Sequence, residues 1–247
     1  MNTTTEEDIN KGKFGQRALL LFILLFPVSV YLFFSTGKEN FISLPYYGPR
    51  EPVTTEVEGE KVVDTIYHSI PPFSFINQNG RIITNKDLNG KIYVADYFFA
   101  TCEGICPKMT SNMSRVQQKF KGNNFLAFIS HTVDPERDSV EALREYAIKV
   151  HADTTNWHFV TGEKKALYDL ARQGYFITAI DGDGGAEDFI HSEKLVLVDK
   201  QGHIRGFYDG STVSSVDSLI DDIRVLQADY ARREHDAKTK LTTGKPK

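Results

Sequence analysis

Apolar and polar positions follow one another along the middle of the chain in a way that predicts alternating strands and helices. The segments KIYVADYFFA (residues 91–100) and NFLAFIS (residues 124–130) are nearly continuous in apolar side chains, which is typical of strands buried on both faces of a sheet. Between them, apolar residues recur at helical spacing after Pro107 and stop at Gly122: Met109, Met113, Val116 and Phe120. The pattern predicts a strand, a helix and a second strand.

The flanking segments extend this order. IPPFSFINQNGRIIT (residues 70–84) and KLVLVDKQGHIRGFY (residues 194–208) each predict two strands joined by a turn. DSVE, beginning at Asp138, resembles a capping box that opens a helix. The remaining segments predict a short strand over 157–161, a short helix over 163–172, and a last helix from about Val213 with Val216, Ile220, Ile223 and Leu226 on one side. Together they predict an α/β domain with a central mixed sheet flanked by helices.

The first part of the chain has a different pattern. The run from Ala18 to Phe34 is apolar for 17 residues apart from Ser29, and as a helix it would span roughly 26 Å, close to a bilayer core. It predicts a single transmembrane anchor over residues 18–36, with a cleaved signal peptide as the alternative. Lys11, Lys13 and Arg17 precede it, so the positive-inside rule places residues 1–17 in the cytoplasm.

The opening MNTTTEEDIN is acidic and lacks the arginine-rich pattern of a mitochondrial presequence. We therefore expect a single-pass protein of a bacterial inner membrane, with the C-terminal domain facing the periplasm. Residues 37–61 lack periodicity and predict a linker, and residues 62–229 form the expected folded domain. Residues 230–247 predict a polar, basic tail that frays.

Charge is unevenly distributed along the chain. The formal net charge is −4, but residues 230–247 carry +4 and residues 18–229 carry −8. An acidic body of this kind argues against a nucleic acid partner.

The two cysteines of the chain, Cys102 and Cys106, lie together in CEGIC, between the first buried run and the first helix. Pro107 directly after them predicts Cys106 as the helix N-cap and places Cys102 in the preceding loop. The open N–H groups of a helix start favour a thiolate over a thiol. Because a thiolate is both the reactive form of cysteine and the form that binds metals, this position favours redox chemistry or metal binding.

Three roles compete for the pair: a structural disulfide, a redox dithiol and a metal site. A structural bridge over so short a loop gains little stability from chain entropy. A redox dithiol is usually C-x-x-C, whereas three residues separate these cysteines. Two thiolates are too few for a closed zinc site, while soft sulfur with one imidazole suits monovalent copper. Redox and metal roles both stay open on this evidence.

A copper site of this kind needs a histidine, and two of the seven histidines are candidates. His131 ends a buried strand and could reach the edge of the sheet, or it could be a core histidine. His191 follows the glycine-rich segment DGDGGAEDFI, where a loop could close it over the cysteines and reopen. Spacing alone favours His191 only slightly.

Four segments resemble motifs of the Sco/SenC family and occur in the same order as in that family: FFATCEGICPKM, HTVDPERDS, WHFVTG and IHSEKLVLVDKQGHIRGFYDG. This is a family of membrane-anchored, thioredoxin-like copper proteins that assist assembly of cytochrome c oxidase, and the similarity covers about Ile70 to Gln227. The resemblance implies a thioredoxin-like domain in which the matching residues Cys102, Cys106 and His191 bind a copper ion. It places Asp134 near the metal in a secondary role. Glu103 stands where members often carry proline.

The resemblance implies a copper chaperone, not an enzyme, that delivers copper to the copper-containing subunit of the oxidase. The alternative is a periplasmic thiol-disulfide oxidoreductase, with Cys102 and Cys106 as its redox-active pair. In that case it would reduce cysteines of the oxidase copper site or of another protein, and a thiol reductant protein would restore its dithiol.

Overall fold

A computed structural model describes residues 19–31, 43–57, 60–177 and 192–243. The chain divides into two units, Met1–Ile42 and Ser43–Lys247. Of the first unit, residues 19–31 are described and form helix α1. The predicted anchor is thus described over part of its length, and the predicted cytoplasmic segment 1–17 lies outside the described residues. None of the helices in the described parts of the chain is both long and apolar enough to cross a bilayer.

The second unit contains nine described strands and five described helices. The strands are β1 (Arg50–Val57), β2 (Glu60–Tyr67), β3 (Ser74–Asn77), β4 (Ile82–Thr84), β5 (Ile92–Phe98), β6 (Leu126–Thr132), β7 (Trp157–Thr161), β8 (Lys194–Val198) and β9 (Ile204–Asp209). The helices are α2 (Asn85–Leu88), α3 (Cys106–Lys119), α4 (Val140–Lys149), α5 (Lys164–Asp169) and α6 (Val213–Thr243), and a π-helical turn covers Leu170–Gly174.

Seven of these strands form one mixed sheet in the order β4-β3-β7-β6-β5-β8-β9. The central strands β5, β6 and β7 are parallel, and the outer strands pair antiparallel to their neighbours. All residues of β5 and β6 are buried, as their apolar runs predict. The expected α/β domain with a central mixed sheet is confirmed.

Two hydrophobic layers cover the sheet. On one face, α3, α4 and α6 pack against alternate residues of β5 and β6 such as Val94, Phe98 and Phe128. On the other face, α2, α5 and the π-helical turn pack against the intervening residues such as Tyr97. The side chains of each central strand therefore divide between two separate cores.

The structure differs from the sequence expectations at both ends of the domain. Strands β1 (Arg50–Val57) and β2 (Glu60–Tyr67) pair antiparallel, where the sequence predicts a linker up to residue 61. Their Val, Thr and Ile content gives them strand propensity, although their residues lack the alternation of a half-buried strand. Beyond Tyr230, where fraying is expected, α6 continues to Thr243. Arg232 and Arg233 both pair with Asp229 at helical spacing and support this extension.

Candidate metal centre

The cysteine pair lies at the carboxyl edge of the parallel strands. Cys102 follows the end of β5, and Cys106 is the first residue of α3, with Ile105 in the N-cap position that the sequence assigns to Cys106. Pro107 occupies the first turn, where its missing N–H costs no helical hydrogen bond. The structure describes both cysteines, and both are free thiols; Cys102 is half-buried and Cys106 is buried.

The backbone around Cys102 is arranged to stabilise a negative sulfur. Partial burial by itself raises the pKa of the Cys102 thiol, but hydrogen bonds from the N–H and thiol of Cys106 and from the N–H groups of Gly104 and Ile105 lower that pKa below its usual value. Amides at the start of a helix act here as the sequence predicts. Cys102 is therefore the more acidic and the more accessible thiol of the pair.

Cys106 has the opposite character. Burial raises the pKa of its thiol to about 12, although the Phe99 N–H donates to its sulfur and partly opposes this effect. Its hydrogen bond to Cys102 and the charges of Cys102 and Asp96 raise the pKa further. Cys106 thus keeps its proton at neutral pH, and a metal that binds both sulfurs must displace it.

Asp96, in the middle of β5, is the acidic group on the sheet side of the pair. It is 2% exposed, and burial raises its pKa to about 7 despite a hydrogen bond with Ser130. Its Oδ1 atom has no hydrogen-bond partner among the described residues. The sequence carried a signal for this residue, because Asp96 is the one charged side chain inside an otherwise apolar strand.

A second buried carboxylate, Asp138, contacts the segment that leads to Cys102. It is 1% exposed, and it accepts hydrogen bonds from the Ala100 N–H at 3.1 Å and from the Thr132 hydroxyl. Burial raises its pKa. The sequence interpretation of Asp138 as a capping residue is wrong, because the hydroxyl of Ser139 caps α4 instead.

Asp134, the predicted secondary residue, lies in the same loop as Asp138. Its carboxylate pairs with Arg137 at 3.6 Å, and its backbone N–H donates to the Thr132 hydroxyl at 2.9 Å. Among the contacts described for it, none reaches a cysteine sulfur. A role for Asp134 near the metal stays a prediction.

The structure separates the two candidate histidines. His131 is completely buried on the face of the sheet opposite the cysteines, stacked on Tyr97 with ring centroids 4.8 Å apart. Burial lowers its pKa to about 3. His131 is therefore a core histidine in this structure, and the option of a ligand role for it is wrong here.

His191, the preferred candidate, lies in residues 178–191, outside the described residues. Within the part of the chain that is described, no group of three or more histidine, cysteine or acidic side chains is placed to hold a metal. The structure thus places two of the three predicted donors, Cys102 and Cys106, and the third stays a prediction.

Comparison with known proteins gives a consistent picture. Residues 64–228 match the family model described as SCO1/SenC. The SCO1 protein homolog of Bacillus subtilis is 30% identical over 167 residues, which cover 67% of this chain and 86% of that protein.

Two solved structures are also similar. BsSco, a member of the Sco family of cytochrome c oxidase assembly proteins in which a disulfide switch was identified, gives a TM-score of 0.55 at 30% identity, covering 64% of this chain and 93% of that one. Arabidopsis thaliana ScoI with copper bound gives a TM-score of 0.52 at 28% identity, covering 64% and 98% of the two chains. The likeness confirms the expected thioredoxin-like fold.

Proposed function

Because the chain belongs to the SCO1/SenC family, we propose that it is a copper chaperone for cytochrome c oxidase, in which Cys102, Cys106 and His191 hold one copper ion. The observation that carries the proposal is the dithiol itself. Two sulfurs meet at a helix start, backbone amides stabilise one of them as a thiolate, and the second lies beside it. Copper is bound in Arabidopsis ScoI, and a copper-binding protein of Stutzerimonas stutzeri is another relative.

The two cysteines, which the structure describes, provide sulfur ligands of the kind that a soft metal ion prefers. Thiolate sulfur with imidazole nitrogen is a donor set that suits copper. Cys102 offers an accessible sulfur whose pKa is lowered, and Cys106 provides the second sulfur once its proton has left. The burial of Cys106 limits access of water to this side of the site. Asp96 keeps an acceptor oxygen on the same side of the sheet as Cys106.

Copper titration of the reduced, metal-free full-length protein in detergent tests the ligand set. We expect one copper per chain in the parent, loss of binding in Cys102→Ser and weaker binding in His191→Ala. His235→Ala, which removes an exposed histidine of α6, is the matched control and should bind as the parent does. Unchanged affinity in Cys102→Ser or His191→Ala would show that the ligands are assigned wrongly.

The dithiol also supports a second candidate function, thiol-disulfide exchange. A half-buried, accessible cysteine of lowered pKa beside a buried cysteine of raised pKa is suited to it. The Cys102 thiolate would attack a partner disulfide, forming a mixed disulfide and releasing one partner thiolate. Cys106 would then attack Cys102 and release the second, so that two electrons pass to the partner.

The two functions differ in their need for His191. Disulfide exchange requires both thiols and no remote imidazole. If His191→Ala abolishes oxidase assembly in cells while exchange with a model disulfide is unchanged, the chaperone function is favoured. If the variant still supports assembly and only the cysteine variants fail, the oxidoreductase function is favoured, with a thiol reductant protein as its second partner.

We also propose that residues 18–36 anchor the protein in a bacterial inner membrane, with the folded domain in the periplasm. The apolar run and the three basic residues before it support this topology. Protease added to intact spheroplasts should digest the folded domain, and the chain should remain with the membrane after a high-salt wash. A protected domain or release by salt would contradict the proposal. In this arrangement, the recipient of the copper ion would be the copper-containing subunit of cytochrome c oxidase.

A further inference from the structure

Asp138 is a buried acid that the proposed copper chemistry does not use, yet it contacts the chain segment that leads to Cys102. Its two carboxylate oxygens lie 3.3 and 3.1 Å from the Ala100 nitrogen. Ala100 is two residues before Cys102, and Asp138 is 38 residues further along the chain. The contact therefore joins two loops that the sequence keeps far apart.

The group that Asp138 holds belongs to a peptide unit with a second role. The N–H of Ala100 and the C=O of Phe99 lie in one planar trans peptide and point in opposite directions. Asp138 accepts from the N–H end, and the C=O end accepts the Cys102 N–H at 3.2 Å. Rotation of this peptide would break both hydrogen bonds together.

The same segment reaches the second sulfur. The N–H of Phe99, one peptide earlier, donates to the Cys106 sulfur. Phe99 thus contacts Cys102 with its carbonyl and Cys106 with its amide. The spacing of the two sulfurs depends on how this residue is oriented.

Asp138 is itself held firmly. Its backbone N–H donates to the Asp134 carbonyl at 2.9 Å, and its carboxylate also accepts from the hydroxyl of the buried Thr132. The next residue, Ser139, caps α4 and fixes the chain that follows. A residue that is held through both its backbone and its carboxylate can impose its geometry on a loop, whereas a mobile side chain would adapt to it.

We propose that Asp138 is a positioning residue that orients the Phe99–Ala100 peptide and so sets the place of Cys102 relative to Cys106 and to the amides of Gly104 and Ile105. Without it, the Phe99–Ala100 peptide is free to rotate, and Cys102 moves relative to Cys106 and to those amides. This inference deepens the proposed function, since it concerns the same dithiol. It predicts changes in the metal-free protein, so it can fail or stand independently of copper binding.

The experiment uses metal-free, full-length protein and two readouts: the rate at which iodoacetamide alkylates Cys102, and the equilibrium in which glutathione disulfide converts the dithiol to a disulfide and yields two glutathione thiols. In Asp138→Ala we expect the alkylation rate and the disulfide equilibrium each to change at least fivefold, because both depend on where the Cys102 sulfur lies relative to its neighbours. Asp138→Asn retains an acceptor oxygen for Ala100 and should stay within twofold of the parent in both readouts.

Gln78→Ala is the matched control. Gln78 is completely buried, and its Oε1 accepts from the Phe159 N–H at 2.9 Å, so it also holds a backbone amide, but in β7. This variant should lose stability and leave both thiol readouts within twofold of the parent. Equal shifts in Gln78→Ala and Asp138→Ala would overturn the proposal, because they would show only a general loss of packing.

Unaltered thiol readouts in folded Asp138→Ala would also overturn it. If Asp138→Ala does not fold, Asp138→Glu decides the matter, since it keeps the charge and moves the carboxylate by one methylene. We then expect shifts of at least threefold in both readouts. Values equal to the parent in that variant would reject a positioning role.

Discussion

Two buried aspartates lie toward opposite ends of strand β5, Asp199 directly after the neighbouring β8 and Asp96 within β5 itself, and the fold satisfies them differently. At the end away from the cysteines, Asp199 pairs with Arg205 at 2.9 Å, and its other oxygen accepts from the N–H groups of Gln201 and His203 at 3.0 Å. Both side chains of the pair are at most 1% exposed. Near the cysteines, Asp96 is equally buried but keeps one carboxyl oxygen without a partner in the described structure.

This difference indicates that Asp199 contributes to the stability of the fold, whereas Asp96 affects the reactivity of the cysteines. Arg205 also donates to the carbonyls of Leu44 and Pro45 and lies over the Tyr46 ring at 4.0 Å, so the Asp199 pair fastens residues 44–46 to the sheet. Asp96 fastens nothing comparable, and its charge acts on the Cys106 thiol. A buried carboxyl group with a raised pKa and an unpaired oxygen is typical of functional sites. We therefore expect substitutions at the Asp199 end to change folding and substitutions at the cysteine end to change reactivity.

The largest effect is expected for Asp199→Ala. Removing one partner of a buried ion pair leaves the Arg205 charge uncompensated, which costs about 3–5 kcal/mol of unfolding free energy. Denaturant unfolding measures the loss, and iodoacetamide reactivity of Cys102 at low denaturant should be unchanged. Asp217→Ala, which breaks an exposed pair with Arg115, is the control and should cost no more than about 1 kcal/mol. A small loss in Asp199→Ala would undermine the contrast between the two ends.

The next effect is a pH dependence at Asp96. Because burial raises its pKa from 3.8 to about 7, the native state retains a proton that the unfolded chain has lost between those values. Its contribution to stability is therefore full below pH 4 and declines as the pH rises to about 7, by roughly 2–4 kcal/mol. Asp96→Asn should remove this decline.

The measurement is denaturant unfolding of the parent and of Asp96→Asn from pH 4 to 8. His131, with a pKa lowered to about 3, and His158, lowered by burial to about 4, act in the opposite direction, since each contributes stability that is lost as the pH falls below 6.5. Their effect is common to both proteins and cancels in the difference. Parallel stability curves for the two proteins would contradict the account of Asp96.

The third prediction concerns the two thiols separately. In Cys106→Ser the remaining Cys102 is accessible, and the backbone amides still stabilise its thiolate; in Cys102→Ser the remaining Cys106 is buried with a raised pKa. We expect Cys102 to react with iodoacetamide about tenfold faster or more at pH 7, because the thiolate is the nucleophile. The rates in denaturant, where both thiols are exposed, provide the control. Equal alkylation rates in the two folded variants would contradict the expected difference in reactivity between Cys102 and Cys106.

The smallest effect is expected in the last part of α6, where the two arginine partners of Asp229 are 42% and 52% exposed. Asp229→Asn weakens the pairs with Arg232 and Arg233 and should cost about 0.5 kcal/mol, since helix-surface ion pairs contribute little. Amide hydrogen exchange should increase after Tyr230 and stay constant in the central strands. The same chemistry as in the Asp199 pair thus gives a much smaller effect at the surface. A loss of several kcal/mol would show that burial does not account for the difference.

Local pattern was enough to predict the central elements and the placement of the cysteines. The apolar runs of β5 and β6, the turn glycines Gly80 and Gly202 with φ of 74° and 84°, and the helix after Pro107 follow from neighbouring residues. The hairpin β1–β2 was missed because its strands pair with each other without burying an apolar face. Strand propensity was its only signal.

Two further residues, Asp138 and His131, depended on contacts between residues far apart in the chain. Asp138 matches a capping pattern, but its partner is the Ala100 amide, which no local pattern reveals. His131 was ambiguous until the register placed it beside Tyr97 on the face opposite the cysteines. In both cases the decisive information is which residues become neighbours when the chain folds.

The central claim is that Cys102, Cys106 and His191 bind one copper ion, and X-ray absorption of the copper-loaded, reduced protein tests it most directly. We predict two sulfur scatterers and one imidazole nitrogen at the metal, with the imidazole lost in His191→Ala and one sulfur lost in Cys106→Ser. A copper environment that contains fewer than two sulfurs in the parent, or that is identical in His191→Ala, would contradict the account.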